Sequence, residues 1–215
     1  MAKVKTVFVC NNCGFESSKW LGKCPSCNEW NTFYEESMKN IKAVNANTKL
    51  IVAKPVKLND VEGKESFRFD AGYQEVNRVL GGGLVKGSLV LIGGEPGIGK
   101  STLVLQICDK IANDDGKVLY VSGEESVEQV KMRADRLQIH NENLMFLGET
   151  DMDNIEKEIE EMNPKLVVID SIQTMFSSEI TSPPGTVSQV REITARIMRC
   201  CKQNAVTTIL IGHVT

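Results

Sequence analysis

From Phe67 onward the chain alternates short apolar runs with longer segments of helical period. The runs are Ser88–Ile92, Val118–Val121, Leu144–Leu147, Leu166–Ile169 and Thr207–Ile211. Nearly unbroken Val, Ile and Leu in such short stretches predicts strands covered on both faces, the pattern of a parallel sheet. Between them, Lys100–Ile111, Ser126–Leu137, Asp153–Met162 and Val187–Gln203 space their apolar residues as helices do. Strand and helix in this rhythm predict an α/β core with helices on both faces of the sheet.

The first third reads differently. Residues 1–34 are rich in cysteine and small polar turns, and 35–65 carry no period apart from the short apolar piece Leu50-Ile51-Val52. The expected organisation is a small module over 1–34, a linker over 35–65 and a core over 66–215. The last buried-looking strand ends close to Thr215, so the core is expected to be cut short at its C-terminus, within a longer protein.

Composition narrows the class. With 41% hydrophobic and 25% charged residues, the 215-residue chain is ordinary for a globular protein. No run approaches the roughly 18 apolar residues of a membrane span, and residues 1–9 are too short in apolar sequence for a secretory signal. A net charge of −3 argues against a basic coat for nucleic acid, so any phosphate contact must come from a local patch.

Four of the seven cysteines form Cys10-x2-Cys13-x10-Cys24-x2-Cys27. An odd count without a secretion signal speaks against a disulfide framework and for a reducing, cytoplasmic setting. Two C-x2-C turns supply four thiolates, the set that Zn²⁺ takes in a closed tetrahedral, structural site. Trp20 and Trp30 flank the second knuckle. Packing into a mini-core is the favoured reading for them, since so small a module needs aromatic area; a base-stacking or partner-binding platform is the alternative.

Gly94-Glu95-Pro96-Gly97-Ile98-Gly99-Lys100-Ser101 matches G-x-x-x-x-G-K-S/T between an expected strand and an expected helix. Its backbone amides would cradle phosphates, helped by the positive end of the helix, with Thr102 following in the first turn. Lys100 would reach the β- and γ-phosphates, and Ser101 would ligate Mg²⁺. Asp170, ending the apolar run Leu166–Ile169, is the expected second Mg²⁺ residue. Glu124 and Glu125 follow the run Val118–Val121 and stand as candidate general bases, Glu124 first. His213 reaches the same rim as a candidate γ-phosphate contact. Ser171 is open between a local hydrogen bond and a turn or capping role.

Together these residues resemble the bacterial RadA/Sms DNA-repair ATPases, a branch of the RecA-like ATPases. The resemblance rests on the Cys10–Cys27 ribbon and on Arg78-Val79-Leu80-Gly81-Gly82-Gly83-Leu84 leading to the phosphate loop. It continues through Tyr120-Val121-Ser122-Gly123-Glu124-Glu125-Ser126, Val168-Ile169-Asp170-Ser171, Ser182-Pro183-Pro184-Gly185-Thr186 and Gly212-His213-Val214-Thr215. It implies a RecA-like P-loop core behind a zinc ribbon, and a hexameric, DNA-stimulated ATPase that drives branch migration of recombination intermediates. It also implies single-stranded or branched DNA as partner, with recombinase or replication proteins meeting the ribbon. Full-length members also carry a Lys-Asn-Arg-Phe-Gly motif and a Lon-like C-terminal domain, neither of which this sequence contains.

Charge adds one more expectation. Residues 149–161 hold seven acids and one lysine, whereas Arg191, Arg196, Arg199 and Lys202 oppose only Glu192 in 187–203. On a helical wheel Val190, Ile193, Ile197 and Cys200 share one face and the cations the other. The cationic face is a solvated surface or, more sharply, a surface for DNA or a neighbouring subunit. Two readings outside the DNA motor stay open: a RecA-like regulatory switch without DNA, and a zinc-ribbon protein-binding module.

Overall fold

A computed structural model describes residues 5–38, 57, 67–114, 116–180 and 182–213. The N-terminal ribbon is an antiparallel sheet of β1 (Lys5–Cys10), β2 (Glu16–Ser17) and β3 (Phe33–Met38), in the order β2-β1-β3. β3 therefore runs four residues past the expected end of the module at Tyr34. Most of the expected linker, with Leu50-Ile51-Val52, lies outside the described residues. The core opens with a two-stranded pair, β4 (Arg68–Phe69) and β5 (Leu84–Val85), enclosing α1 (Gln74–Val79).

Five parallel strands then follow: β6 (Leu89–Gly94), β7 (Val118–Ser122), β8 (Leu144–Leu147), β9 (Leu166–Asp170) and β10 (Thr207–His213), ordered β6-β10-β9-β7-β8. The helices are α2 (Lys100–Asn113), α3 (Val127–Arg136), α4 (Met152–Met162) and α5 (Val187–Asn204). All five expected strands and four expected helices are present, shifted by one or two residues at their ends.

Because side chains alternate across a strand, each central strand feeds two cores. Tyr120, Val168, Ile209 and Ile211 face α2 and α3 and pack with Leu105, Ile107, Cys108 and Ala134. Leu119, Val121, Val167, Ile169 and Leu210 face α4 and α5 and pack with Ile155, Ile159, Ile193 and Ile197. β6 and β8 are the edge strands. On β6, Leu91 is 64% exposed, beside an apolar groove of about 400 Å³ that Val79 and Leu80 also line.

The acidic and basic segments meet as a clamp between α4 and α5. The Arg196 side chain is only 12% exposed. It donates to Asp153 Oδ1 at 2.6 Å, to Glu156 at 2.6 and 3.1 Å, and to Ser177 Oγ at 2.9 Å. This corrects the wheel reading, in which Arg196 lay on a free cationic face. Truncating it leaves the half-buried Glu156 without its fork. Arg196→Ala should destabilise the core by about 2 kcal/mol, the scale for hydrogen bonds to a charged group, tempered because Asp153 is more than half exposed. A urea midpoint shift at unchanged m-value checks it.

Candidate nucleotide site and metal centre

Parallel register brings the functional residues to one rim. His213 lies opposite Gly94 across β10 and β6, Ile211 opposite Asp170 across β10 and β9, and Ser122 opposite Asp170 across β7 and β9. The phosphate loop leaves β6 at Gly94 and enters α2 at Lys100. Gly97 and Gly99 have φ of 80° and 99°, a left-handed backbone that side-chain-bearing residues rarely adopt. Glu95, Pro96 and Ile98 stand exposed on the loop, while Ser101 and Thr102 lie half-buried in the first turn of α2.

Lys100 is buried and folds back on its own loop, donating to Gly94 O at 2.7 Å and Glu95 O at 2.8 Å. Its Nζ is also 3.2 Å from His213 Nδ1, and His213 Nε2 is 2.9 Å from Glu124 Oε1. An ammonium can only donate, so Nδ1 accepts and the imidazole proton sits on Nε2, donated to Glu124. Ser171 Oγ donates to the same carboxylate oxygen. Burial alone would push the Glu124 carboxyl up. The hydrogen bonds from Ser171 and His213, with the charge of Lys100, together hold it below the usual carboxylate range.

The neighbouring acid is otherwise engaged. Glu125 pairs with Arg133 of α3, and its backbone is held by Ser122. Gly123, just before Glu124, passes so close to Thr174 that a Cβ would lie 2.2 Å from its hydroxyl oxygen. Asp170 is buried and accepts from Tyr120 OH at 2.6 Å. Burial and the Asp170 charge raise the Tyr120 phenol, so it remains a donor. A hydroxyl at Ser101 and a carboxylate at Asp170 are hard oxygen ligands, the donor chemistry that Mg²⁺ prefers.

In the ribbon the Cys10, Cys13, Cys24 and Cys27 sulfurs lie within 4.8 Å of one another. The closest pairs are Cys10–Cys27 at 3.6 Å and Cys13–Cys24 at 3.5 Å. A tetrahedron with Zn–S bonds of about 2.3 Å needs sulfurs about 3.8 Å apart, so the four thiols fit Zn²⁺. Burial opposes ionisation of Cys10, but the Thr32 hydroxyl and the amides of Cys13 and Asn12 bring its thiol down to about 6.

Comparison with known proteins matches this geometry at both ends. Residues 53–215 match a family described as an AAA domain, and residues 8–35 match one described as a rubredoxin metal binding domain. Over its whole length the chain is 53% identical to the DNA repair protein RadA of Bacillus subtilis (strain 168). It is 52% identical to that of Halalkalibacterium halodurans and 50% identical to that of Streptococcus pyogenes serotype M6. The chain belongs to the RadA family. It spans about half the length of these RadA relatives, 48% of each against 100% of this chain. No helix among the described residues is long and apolar enough to cross a membrane.

The core holds site residues that the sequence alone did not reveal or left open. Tyr120 was read only as part of an apolar strand; a hydroxyl in such a run was the available signal, since buried tyrosines need a partner. Ser171 does both things left open: its hydroxyl bonds Glu124 and its carbonyl starts a turn, accepting from Thr174. Gln173 donates to His213 O at 3.1 Å, while its own carbonyl oxygen is buried without a partner. Arg133, which takes Glu125 away from the rim, carried no sequence signal.

The ribbon rests against the start of α5. Tyr34 OH and Ser188 Oγ are 2.5 Å apart, Arg191 donates to Glu16 at 2.8 Å, and a Cβ on Gly14 would lie 2.8 Å from the Val187 side chain. Metal analysis should give about one zinc per chain, as a closed four-thiolate site predicts. Cys24→Ser should lose it and open residues 7–34 to protease while the parallel sheet stays resistant.

Proposed function

We propose that this chain is the zinc-ribbon and motor portion of a DNA-dependent ATPase acting in DNA repair and recombination. The observation that carries the ATPase reading is the row Lys100–His213–Glu124 laid across the rim beside Asp170. The naming of the RadA relatives as DNA repair proteins supports the biological setting. By the resemblance, the assembled protein is a hexamer in the cytoplasm that promotes branch migration.

The amides of 94–101 bind the phosphates, and Lys100 turns from its loop carbonyls towards the β- and γ-oxygens. Ser101 and Asp170 would hold a Mg²⁺ ion, which would offset charge on the phosphates. Tyr120 fixes one Asp170 oxygen and leaves the other for that role. Glu124, kept ionised by its neighbours, accepts the proton of the attacking water. Nucleotide that draws Lys100 away also frees His213 Nδ1, so His213 is placed to respond to the γ-phosphate and to loosen its hold on Glu124. Glu125 stays with Arg133 and orients the turn. Zinc in the ribbon is structural, because four cysteines leave no open position.

The expected cationic face on α5 is largely paired: Arg196 with Asp153 and Glu156, Arg191 with Glu16, Arg199 with Glu192. A DNA contact therefore needs support beyond that helix.

Lys100→Ala should abolish nucleotide binding or turnover, and unchanged affinity for a fluorescent ATP analogue would contradict the assignment. Glu124→Gln should keep ATP binding and lose turnover by about 10²-fold or more, the scale of a positioned general base. Glu125→Gln should leave most activity. DNA dependence is checked by the ATPase rate with and without single-stranded DNA in the full-length protein; a rate indifferent to DNA would favour a regulatory switch.

A further inference from the structure

Trp20 and Trp30 do not form the mini-core that their place beside the knuckle suggests. They are 52% and 67% exposed, and the ribbon's small buried cluster is Cys10, Cys24 and Phe33 instead. Tryptophan is highly buried on average, so two open indoles on one small module need a reason.

Both rings flank Gly22. A Cβ there would lie 3.7–3.8 Å from the Trp20 ring and 3.9 Å from Trp30. Neither ring is held out by chance. Trp20 Nε1 donates to Phe33 O at 3.3 Å, and Lys23 Nζ sits 5.6 Å from the Trp30 ring centroid. Lys19, exposed beside Trp20, has its backbone fixed on both sides by Ser17 Oγ. From Lys19 to Trp30 the charged residues are Lys19, Lys23 and the single acid Glu29. The result is a pair of open indoles with one cation, Lys23, over a face of Trp30 and a second, Lys19, next to Trp20.

We infer that Trp20 and Trp30, with Lys19 and Lys23, form a stacking platform for bases of single-stranded nucleic acid. The inference rests on the DNA reading above and moves the contact from α5 to the ribbon. Indole faces accept any base, and adjacent cations take the phosphates, the combination that single-strand sites use. α5 offers neither half in 187–203: that segment has no aromatic residue, and three of its cations face acids. A protein partner is less well matched, because protein interfaces are built around a continuous, closely packed patch. Here the open apolar area is small, the two rings and the edge of Phe15 at 37% exposure, with Lys19, Lys23 and Gly22 beside the rings.

Trp20 and Trp30 are the chain's two tryptophans, so indole emission reports on this platform alone. Oligothymidylate titrated into the zinc-loaded 215-residue chain at low salt should quench that emission. The quench should saturate together with the anisotropy of a labelled copy of the same oligonucleotide. Trp30→Ala should weaken the anisotropy binding by about 5- to 100-fold, the range for losing one base–aromatic stack, with zinc content unchanged. Trp30→Phe should recover part of the loss. Binding by anisotropy with unchanged emission, and unchanged affinity in Trp30→Ala, would overturn the platform while leaving the DNA reading intact; the rings then face a protein. Absence of both signals overturns the platform, and DNA-indifferent ATPase in the full-length protein then removes the DNA reading as well.

Discussion

Backbone pairing between parallel strands is the constraint on which the site depends. β6, β10, β9 and β7 run the same way in continuous register, so Gly94, His213, Asp170 and Ser122 all arrive at one edge. None of these residues is near another in sequence except through that pairing. The apolar runs that look functionally silent therefore set the distances. A slip of one residue in β10 would turn His213 to the opposite face and break the row to Lys100 and Glu124. Buried aliphatic side chains on both faces make such a slip costly, which is how hydrophobic packing holds catalytic geometry in place.

Within that frame, adjacent polar residues are sorted by what surrounds them. Glu124 and Glu125 are neighbours with different environments. One sits among Ser171, His213 and Lys100, while the other is taken by Arg133. Asp170 is fixed from beneath by Tyr120 on the adjacent strand, and Glu124 from the side by the residue after Asp170. Both acids are thus held by residues from neighbouring strands or their ends: Asp170 by Tyr120, Glu124 by Ser171 and His213.

Much of this was legible in the sequence, for reasons that can be named. Fully buried parallel strands read as Val/Ile/Leu runs, the phosphate loop has fixed spacing, and four cysteines on two turns specify a tetrahedral site. What was not legible depends on partners far along the chain. Arg196 looked like part of an open basic face because a wheel drawn for α5 does not contain Asp153 or Glu156. Trp20 and Trp30 looked like core because composition says what a small module needs, not which rings supply it; Phe33 and the knuckle cysteines do. The strand β4 and its partner β5 are two residues each, too short for any period to show. The contacts of Glu16, Tyr34 and Gly14 with α5 join segments more than 150 residues apart.

β6 combines two properties with a consequence for solution behaviour. It carries the root of the phosphate loop, and it is one of the two outer strands of the described sheet, with Leu91 open beside an apolar groove. Its span from Leu89 to Gly94 contains no charge, proline or bulge of the kind that discourages edge-to-edge pairing. Unless another strand lies along it, that edge is a template for intermolecular β-association.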